Sequence, residues 1–240
     1  FKDFDSRYLN MLHPLLKEGF FRIENLPTTG MEIDFVDFEA YICSLSPASR
    51  YDLRRKFRRI DGKVDIKLQI SDKLSEEELP QIYGLYLQTM NKQELGFEVA
   101  PQDFFRRICE NMPGQVKYFL WRLGGKLIAF TLCLASKSHF IDLYLGFDYS
   151  VAHQYNLYFI RIRDLLSWCI NNGIKYYEMG VTNYEPKRRL GFDFIPVYIY
   201  ARHKKRIVNP ILKMLSVFLS PGNFEPVLKK MRMEGTFPSY

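Results

Sequence analysis

A cluster of basic residues lies between two apolar, strand-like runs in the last third of the chain. The runs span residues 175–180 and 195–202, and Lys187, Arg188 and Arg189 lie in the polar segment between them. In open mixed sheets, ligands collect beyond the carboxyl ends of the strands. The pattern therefore predicts a ligand site at Lys187 and Arg188, with a solvated basic turn as the alternative.

A second basic cluster lies on a helix that is predicted to start at Ser46-Pro47, which have the residue types of an N-cap and of the first helical position. Residues 50–59 carry six basic side chains and one acidic side chain, a net charge of +5. Arg50 and Arg54 are one helical turn apart, so together they could clamp a phosphate. A connecting helix with a solvated basic face is the alternative.

The elements around the first cluster read as a mixed α/β unit. Three apolar runs, 115–123, 126–135 and 139–147, are separated by short turns and predict an antiparallel meander. An apolar helix over 154–172 follows, and Gly173 has the residue type that ends a helix. This crossover places strand 175–180 beside strand 139–147 and parallel to it.

Upstream and downstream elements follow from periodicity and turn residues. We predict, in order, a helix over 5–17, a strand over 20–25, a loop over 26–31, a helix over 35–45, a half-buried strand over 63–70, a helix from the Ser75-Glu-Glu-Glu78 capping box to Met90, a loop over 91–100, a short helix from Pro101, and an amphipathic tail with helices over 207–219 and up to Met233.

Composition favours a folded chain with localised positive charge. The 240 residues are 47% hydrophobic and carry a net charge of +7, much of it in residues 50–59 and 187–206. Such localised charge suggests an anionic partner: phosphate, nucleic acid or a membrane surface. No run reaches the roughly 18 uncharged apolar residues of a membrane span. The chain starts at Phe1 with no leader pattern, so we expect that an upstream segment is missing.

Cysteines and histidines do not predict a metal site or disulfides. Cys43, Cys109, Cys133 and Cys169 are scattered and form no CxxC motif, and the four histidines lie far apart. A reduced, cytoplasmic chain without a metal is expected. The tail could dock on the domain, on a partner, or on the inner face of the membrane through residues 204–219.

The order of elements from residue 63 resembles the GNAT acyltransferase fold. Three patterns resemble its BioF-like and Fem-type branch, which includes peptidoglycan bridge aminoacyltransferases: Phe38-x-x-Tyr41 through Ser49–Arg55, Leu143–Phe147, and Tyr184-x-x-Lys187-x-x-x-Gly191-Phe192. The resemblance covers residues 35–202. It implies a partial N-terminal GNAT-like half and basic helix over 1–60, an acyltransferase domain over 61–206, and a helical tail over 207–240.

The resemblance implies a slot where the last meander strand and the returning strand splay apart. Backbone N–H groups of that strand would face the donor carbonyl, so donor-binding residues would be Tyr144, Leu145, Gly146, Tyr155 and Asn156. The acceptor would contact Arg50, Arg54, Lys187 and Arg188, and it would be a phosphate-bearing amine of the cell envelope or a small molecule.

Direct attack of an amine needs a base, oxyanion donors and a proton for the leaving group, but no nucleophilic side chain. Glu178 is the candidate base, with a salt-bridged edge glutamate as the alternative. His153 lies near a helix N-terminus, where the dipole favours its neutral form; a surface or capping histidine is the alternative. The Tyr184 phenol is a candidate acid, with simple packing as the alternative.

The donor stays open between acetyl-CoA, or another acyl-CoA, and an aminoacyl-tRNA. Acyl-CoA enzymes of this kind usually hold the pyrophosphate on a Gly-rich turn before the central helix, whereas residues 148–155 contain no glycine. Fem-type members also lack that turn. Two further hypotheses remain: a non-catalytic GNAT-shaped module that binds nucleic acid or an anionic surface, and a degenerate half whose catalysis belongs to the upstream segment.

Overall fold

The computed structural model describes residues 1–92, 98–181, 183–205, 207–216, 218 and 220–236. It confirms the predicted mixed α/β class. The chain divides into two compact units: the first combines Phe1–Gly30 with Gly180–Tyr240, and the second is the continuous segment Met31–Met179. The predicted division at residues 60 and 206 stays a prediction.

The strands are β1 (Phe4–Asp5), β2 (Phe21–Glu32), β3 (Ile66–Ser71), β4 (Val116–Leu123), β5 (Lys126–Ala135), β6 (His139–Phe147), β7 (Tyr176–Met179) and β8 (Asp193–Ala201). The helices are α1 (Leu9–Lys17), α2 (Phe38–Ser44), α3 (Pro47–Arg58), α4 (Glu78–Met90), α5 (Gln102–Asn111), α6 (Leu157–Asn171), α7 (Tyr184–Arg189), α8 (Val208–Ser216) and α9 (Pro226–Met233).

The second unit contains the predicted meander and crossover. Strands β3, β4, β5 and β6 pair antiparallel in that order, and β7 joins β6 in parallel. The tight β4–β5 turn requires two residues with positive φ. Gly124 and Gly125 supply them, with φ of 55° and 83°, a left-handed conformation that favours glycine. Helix α6 is the crossover between β6 and β7, and Gly173, at φ 69°, follows its end as predicted.

Helices α4 and α5 cover one face of this sheet. Ile82, Phe105, Tyr118 and Phe130 are each fully buried there, and the Tyr118 hydroxyl donates to the Phe105 carbonyl at 2.6 Å. Burying a side chain of this size stabilises the fold by about 1.5–3 kcal/mol. The predicted capping box opens α4, since Ser75 and Glu78 exchange backbone-to-side-chain hydrogen bonds of 3.0 and 3.1 Å.

The first unit is a small antiparallel sheet with helical segments. Strand β8 pairs with both β1 and β2. Tyr184, at the start of α7, packs with Phe194 and with Leu228 and Met231 of α9.

Several element predictions were wrong in detail. The predicted loop over 26–31 lies inside β2, where a pairing irregularity between Asn25 and Thr28 accommodates Pro27. Strand β3 is mostly exposed rather than half-buried. The predicted 154–172 helix begins at Leu157, because Asn156 adopts a left-handed conformation with φ 50°.

Some predictions reach residues outside those described. These are residues 93–97 of the predicted loop over 91–100, and Val217 and Leu219 at the end of the predicted tail helix. Helix α8 itself ends at Ser216.

Candidate functional site

The site is built where β6 loses its parallel neighbour. The β6–β7 pairing runs from His139 and Tyr176 to Asp142 and Met179. Strand β6 continues to Phe147 and stays paired with β5 as far as Ala129. Within the described residues, the segment 143–147 therefore has β5 on one side and no β7 partner on the other. This is the predicted splay of the parallel pair.

A β-bulge lies at the splay point. Leu132 pairs with Tyr144 and Cys133 with Asp142, so Leu143 is the extra residue on β6. The Asp148 N–H donates to the Ile128 carbonyl of β5 at 2.8 Å. Because backbone groups alternate sides along a strand, the amides of Leu145 and Phe147 point away from β5.

The Phe147 amide has a partner on that open side, and this fixes its role as structural. Its N–H donates to Oγ1 of the buried Thr89, on α4, at 3.2 Å. We call the open side of segment 143–147, beyond the end of β7, the gap. Of the backbone N–H groups in this segment, that of Leu145 is thus best placed to donate to a carbonyl oxygen in the gap. Leu145 is one of the predicted donor-binding residues.

Gly146 lets α4 approach β6 closely. A Cβ at this position would lie 2.6 Å from the Leu85 carbonyl carbon and 2.7 Å from the Tyr86 nitrogen, both backbone atoms. The preceding Tyr144 packs its ring 5.5 Å from that of Tyr86 and 5.6 Å from that of Phe104. Helix α4 therefore holds the back of the strand in place from residue 144 to residue 147.

The loop between β6 and α6 is organised by a carboxylate. Asp148 accepts hydrogen bonds from the Ser150 amide at 3.0 Å and from the Ser150 hydroxyl at 2.5 Å. It also pairs with the Lys126 ammonium at 2.6 Å. The hydrogen bond from Lys126, helped by those from Ser150, lowers the pKa of the Asp148 carboxyl.

Several backbone amides of this loop are already used inside it. An ionised carboxylate stands at its start, and the amides of Val151, Ala152, Tyr155 and Leu157 donate to carbonyls of the loop itself. A phosphate would have to compete with these bonds and with the Asp148 charge. His153 is exposed in this loop, and Tyr155 and Asn156 are half-buried just ahead of the helix.

A buried ion pair lies beneath the splay point. The Asp142 carboxylate, on the last β6 residue that pairs with β7, accepts from the Arg161 guanidinium of α6 and from the Tyr177 hydroxyl at 3.2 Å. Arg161 is 0% exposed, and its Nε and Nη2 have no hydrogen-bond partner, nor has the buried Tyr158 hydroxyl. The pair ties α6 to β6 where β7 departs.

Burial controls the ionisation of the groups around this pair. It raises the pKa of Tyr158 to about 12 and that of Tyr177 still further. It also raises the pKa of the Cys133 and Cys169 thiols. For Arg161, burial alone would lower the pKa, but the charge of Asp142, the hydrogen bond to it and the nearby Tyr177 and Tyr158 together outweigh burial and raise the pKa. Both thiols are therefore protonated and unsuited to act as nucleophiles.

The predicted acceptor arginines lie on α3 in different surroundings. Arg54 pairs with Glu39 of the preceding helix, α2. Arg50 donates from Nη2 to the Leu45 carbonyl at 3.3 Å, and its buried Nε has no hydrogen-bond partner. An anion could therefore bind Arg50 without displacing a carboxylate, whereas at Arg54 it would compete with Glu39.

Glu178 is half-buried on β7 and is paired in register with Ile141 of β6. It lies one residue before the strand ends at Met179. It thus belongs to the strand that flanks the gap, one position before the splay. Its role as base stays a prediction.

Three predicted site residues belong to the first unit. The buried Tyr184 donates its hydroxyl to the Pro27 carbonyl at 2.8 Å, an arrangement that serves packing. Lys187 is 5% exposed, and its ammonium donates to the Gly180 carbonyl, so it is not part of a solvated turn. Arg188 is exposed and pairs with Glu185 at 3.2 Å. Their predicted roles are not decided by these contacts.

In the second unit, Leu145 and Gly146 lie on β6, and Glu178 lies on β7 opposite Ile141, four residues before Leu145. His153 and Asn156 lie in the loop after β6. Sequence reasoning missed Asp142 and Arg161. Asp142 is the one Asp, Glu, Lys or Arg of the run 139–147, which is a signal that could have been used, whereas Arg161 shares the run 157–171 with Arg163 and Asp164 and does not stand out. Among the described residues, no group of three His, Cys, Asp or Glu side chains could hold a metal ion.

A family model described as an acetyltransferase (GNAT) domain matches residues 47–188, which is more than half of the chain. Two Mycobacterium tuberculosis proteins that carry the name 8-amino-7-oxononanoate synthase 2, from strains CDC 1551 / Oshkosh and ATCC 25618 / H37Rv, are 28% identical over 206 residues. The match covers 82% of this chain and 26% of theirs, so the chain spans about a quarter of the length of these curated relatives.

Solved structures share the fold at low sequence identity. L-PGS from Bacillus licheniformis has a TM-score of 0.60 and 11% identity, over 90% of this chain and 71% of that one. FemX has a TM-score of 0.59 and 12% identity, over 89% and 73%. The C-terminal domain of a lysylphosphatidylglycerol synthetase from Agrobacterium fabrum has a TM-score of 0.56 and 13% identity, over 94% and 73%.

Proposed function

The chain belongs to the acetyltransferase (GNAT) domain family, and on this premise we propose that it transfers an acyl or aminoacyl group from an activated ester or thioester to an amine. The observation that carries the proposal is the end of the β6–β7 pairing at Asp142 and Met179 while β6 runs on to Phe147. The gap exposes the Leu145 amide, and Glu178 lies on the strand beside it.

In the proposed reaction, the amine nitrogen attacks the carbonyl carbon of the donor. The Leu145 N–H donates to the oxyanion that develops, and Glu178 accepts the proton that the amine loses. The carbon–sulfur or carbon–oxygen bond then breaks, and solvent protonates the leaving thiolate or alkoxide where needed. The elevated pKa values of the Cys133 and Cys169 thiols favour this direct route over a covalent intermediate.

We propose further that the donor is not held through a diphosphate on the loop before α6. The internal hydrogen bonds of that loop and the Asp148 charge support this. The protein would then bind acetyl-CoA and aminoacyl-tRNA in a similar way despite their different sizes, because its contacts would be with the acyl group and its ester or thioester.

The test compares three donors with a panel of amines that includes phosphoethanolamine and glucosamine 6-phosphate, with amide products detected by mass spectrometry. Acetyl-CoA and S-acetylpantetheine, which lacks the diphosphate, should have KM values within about threefold of each other. A mixed aminoacyl-tRNA preparation is the third donor. A KM for S-acetylpantetheine that is a hundredfold higher would contradict the proposed donor mode.

The role of Glu178 is tested with Glu178→Gln. General-base catalysis contributes about 10²–10⁴-fold, so kcat should fall by at least about a hundredfold near neutral pH. Glu110→Gln, on an exposed turn of α5, is the matched control and should keep wild-type kcat. If no donor yields an amide with any amine, while duplex RNA binds tightly and in a salt-dependent manner, the chain is instead an anion-binding module.

The acceptor that we propose is an amine that carries a phosphate, as cell-envelope precursors do. Arg50 supports this choice, because among the described residues its buried Nε has no partner and no carboxylate pairs with it, whereas Arg54 one turn away is paired with Glu39. The names of two structures with this fold, a lysylphosphatidylglycerol synthetase domain and FemX, agree with a cell-envelope acceptor. They do not bear on which amine this chain uses.

We also propose a cytoplasmic protein that contacts an anionic membrane surface through α8. Among the described residues, no helix is both long enough and apolar enough to span a bilayer. Helix α8 nevertheless exposes Ile211, Leu212, Met214 and Leu215. Lys204, Lys205 and Lys213 lie beside them in sequence and are exposed. An exposed apolar helix with lysines at its margin complements anionic lipid.

A further inference from the structure

A cavity in the first unit is lined by none of the residues proposed for acyl transfer. Its volume is about 680 Å³, within the usual range of small-molecule sites. It opens between the β2–β8 pair and the segment that follows α8. Six of the residues that line it carry the inference: Arg22, Glu24, Tyr198, Phe218, Ser220 and Arg232.

Arg22 supplies a positive charge that no carboxylate neutralises. Arg22 and Glu24 are two residues apart on β2, so both side chains lie on the same face of the strand. The Arg22 guanidinium lies over the Tyr198 ring, 4.7 Å from its centre. In the part of the chain that the structure describes, no Asp or Glu lies within ion-pair distance of Arg22. The ring orients this cation without neutralising it.

Glu24 forms its ion pair with another arginine of the cavity, Arg232. Its carboxylate accepts from Arg232 at 2.8 Å and from the Ser220 hydroxyl. Arg232 also donates to the Ser220 oxygen at 2.9 Å. Gly222 fits closely beneath it, since a Cβ there would lie 2.6 Å from the Arg232 Cζ. The Glu24–Arg232 pair is therefore held rigidly and adds no net charge.

The cavity thus has a net charge of one positive unit and an apolar rim. Phe218, 72% exposed, and Ile23 border it together with the Tyr198 ring. An exposed aromatic side chain beside a cationic group suits a ligand that has both an apolar and an anionic part.

We propose that this cavity binds an amphiphilic monoanion, whose negatively charged oxygens contact Arg22 and whose apolar part packs against Phe218. A phosphodiester lipid and a fatty carboxylate share this chemistry. The proposal is independent of acyl transfer, because none of the lining residues belongs to the β6–β7 gap. Binding here can therefore be present or absent whatever the outcome of the donor assays.

Isothermal titration of the full chain tests the proposal. The probes are dihexanoylphosphatidylglycerol, below its critical micelle concentration, and octanoate, and they distinguish the two sources of the monoanion. Dihexanoylphosphatidylcholine, which has no net charge, and glycerophosphoglycerol, which has no acyl chain, are the controls. We expect saturable binding of at least one amphiphilic anion, and binding of either control weaker by at least about tenfold.

The decisive variant is Arg22→Gln, and Arg202→Gln is its matched control. Arg202 also lies over a ring, 4.7 Å from the centre of Phe20, but it does not line the cavity. Loss of a charge-assisted hydrogen bond should weaken binding by about ten- to a hundredfold in Arg22→Gln and leave Arg202→Gln unchanged. Phe218→Ala should weaken binding of the amphiphile and leave any glycerophosphoglycerol signal unaltered.

Three results would overturn the proposal. They are no saturable binding of either amphiphilic anion, equal losses in Arg22→Gln and Arg202→Gln, and equal affinity for the phosphatidylcholine probe. Thermal unfolding of each variant separates loss of a contact from loss of the fold, and Phe218→Ala provides the second route because an exposed ring contributes little to stability.

Discussion

At the scale of single residues, Gly146 and Asp148 lie on either side of Phe147 and hold the end of β6, next to the proposed donor contact at Leu145. Gly146 keeps β6 in contact with the backbone of α4, and Asp148 folds the loop that leads to α6. Neither residue needs to touch a substrate to matter, since a shift of the intervening Phe147 amide would move the Leu145 N–H with it. Gly146 also lay in the predicted donor-binding segment, although the sequence could not show that its neighbour is a helix backbone.

Gly146→Ala should destabilise the protein. Its Cβ would lie 2.6 and 2.7 Å from backbone atoms of α4, which cannot rotate away as a side chain would. We expect the free energy of unfolding to fall by about 1–3 kcal/mol, as measured by urea denaturation.

Gly84→Ala is the control for that measurement. Gly84 lies on α4, the helix that packs against Gly146, and a Cβ added there would have no described atom outside the helix's own backbone within 4 Å. There the change should raise the free energy of unfolding by about 0.5–1 kcal/mol, since alanine favours a helix interior. A Gly146→Ala protein as stable as wild type would mean that α4 can move away from β6.

Asp148 should contribute stability that depends on pH. Its folded-state pKa is lowered from 3.8, mainly by the hydrogen bond from Lys126. A depressed carboxyl pKa stabilises the fold above the unfolded value and loses this effect as pH falls through the folded value. The stability difference between wild type and Asp148→Asn should therefore be largest near pH 6 and shrink steadily below about pH 4.

Urea unfolding at several pH values measures that difference, and Asp65→Asn gives the background, since Asp65 is exposed and, among the described residues, pairs with the exposed Lys67 alone. A gap between wild type and Asp148→Asn that stays constant from pH 6 to pH 3 would contradict the role assigned to the Lys126 pair.

At the scale of elements, the buried Arg161–Asp142 pair joins α6 to β6 at the point where β7 separates. Taking both charges out of water costs several kcal/mol, which the mutual attraction offsets only while both partners are present. The two unpartnered nitrogens of Arg161 make the pair a poor source of stability. Its value is better explained by position, because it fixes where the parallel pairing ends.

Removing one partner and removing both should have different effects. Arg161→Met leaves Asp142 buried and unpaired, so the free energy of unfolding should fall by about 3–5 kcal/mol. The double change Arg161→Met with Asp142→Leu should recover most of this loss, because neither buried charge of the pair then remains. Denaturation of all four proteins gives the coupling energy. A double variant no more stable than Arg161→Met would contradict the ion-pair account.

Local patterns predicted most elements around the site. The glycines at 124 and 125 marked the β4–β5 turn, and Ser75 and Glu78 marked the start of α4. The parallel placement of β7 followed from the crossover helix, because such connections have few alternatives. The ion pair could not be predicted, since its partners are 19 residues apart and only tertiary packing selects one partner among many. The left-handed Asn156 that delays α6 is equally invisible to periodicity.

At the scale of the whole molecule, charge and apolar surface are distributed unevenly. Half of the basic side chains of residues 50–59 are paired, since Arg54 contacts Glu39, and Arg55 and Lys56 contact Asp52. That pairing weakens the case for α3 as a general polyanion surface, which its sequence alone suggested. The apolar residues of α8 instead stay exposed, which composition could not reveal because amphipathic helices more often bury one face.

Vesicle sedimentation tests the membrane contact proposed for α8. The chain should bind vesicles of phosphatidylglycerol and phosphatidylcholine better than vesicles of phosphatidylcholine alone, and salt should weaken binding. Ile211→Asp should reduce the partition coefficient by at least about tenfold, the value of burying one such side chain. Met11→Asp, at an apolar residue of α1 that is 72% exposed, should leave it unchanged. Equal effects of the two substitutions would argue against a specific role for α8.

The split composition of the first unit has a consequence for biosynthesis. Strands β1 and β2 leave the ribosome before Met31–Met179, but their partner β8 is translated only after the whole of that segment has been made. The continuous second unit can therefore fold while the peptide is still growing. Until β8 is made, the edges of β1 and β2 that it covers have no strand to pair with and are open to other chains.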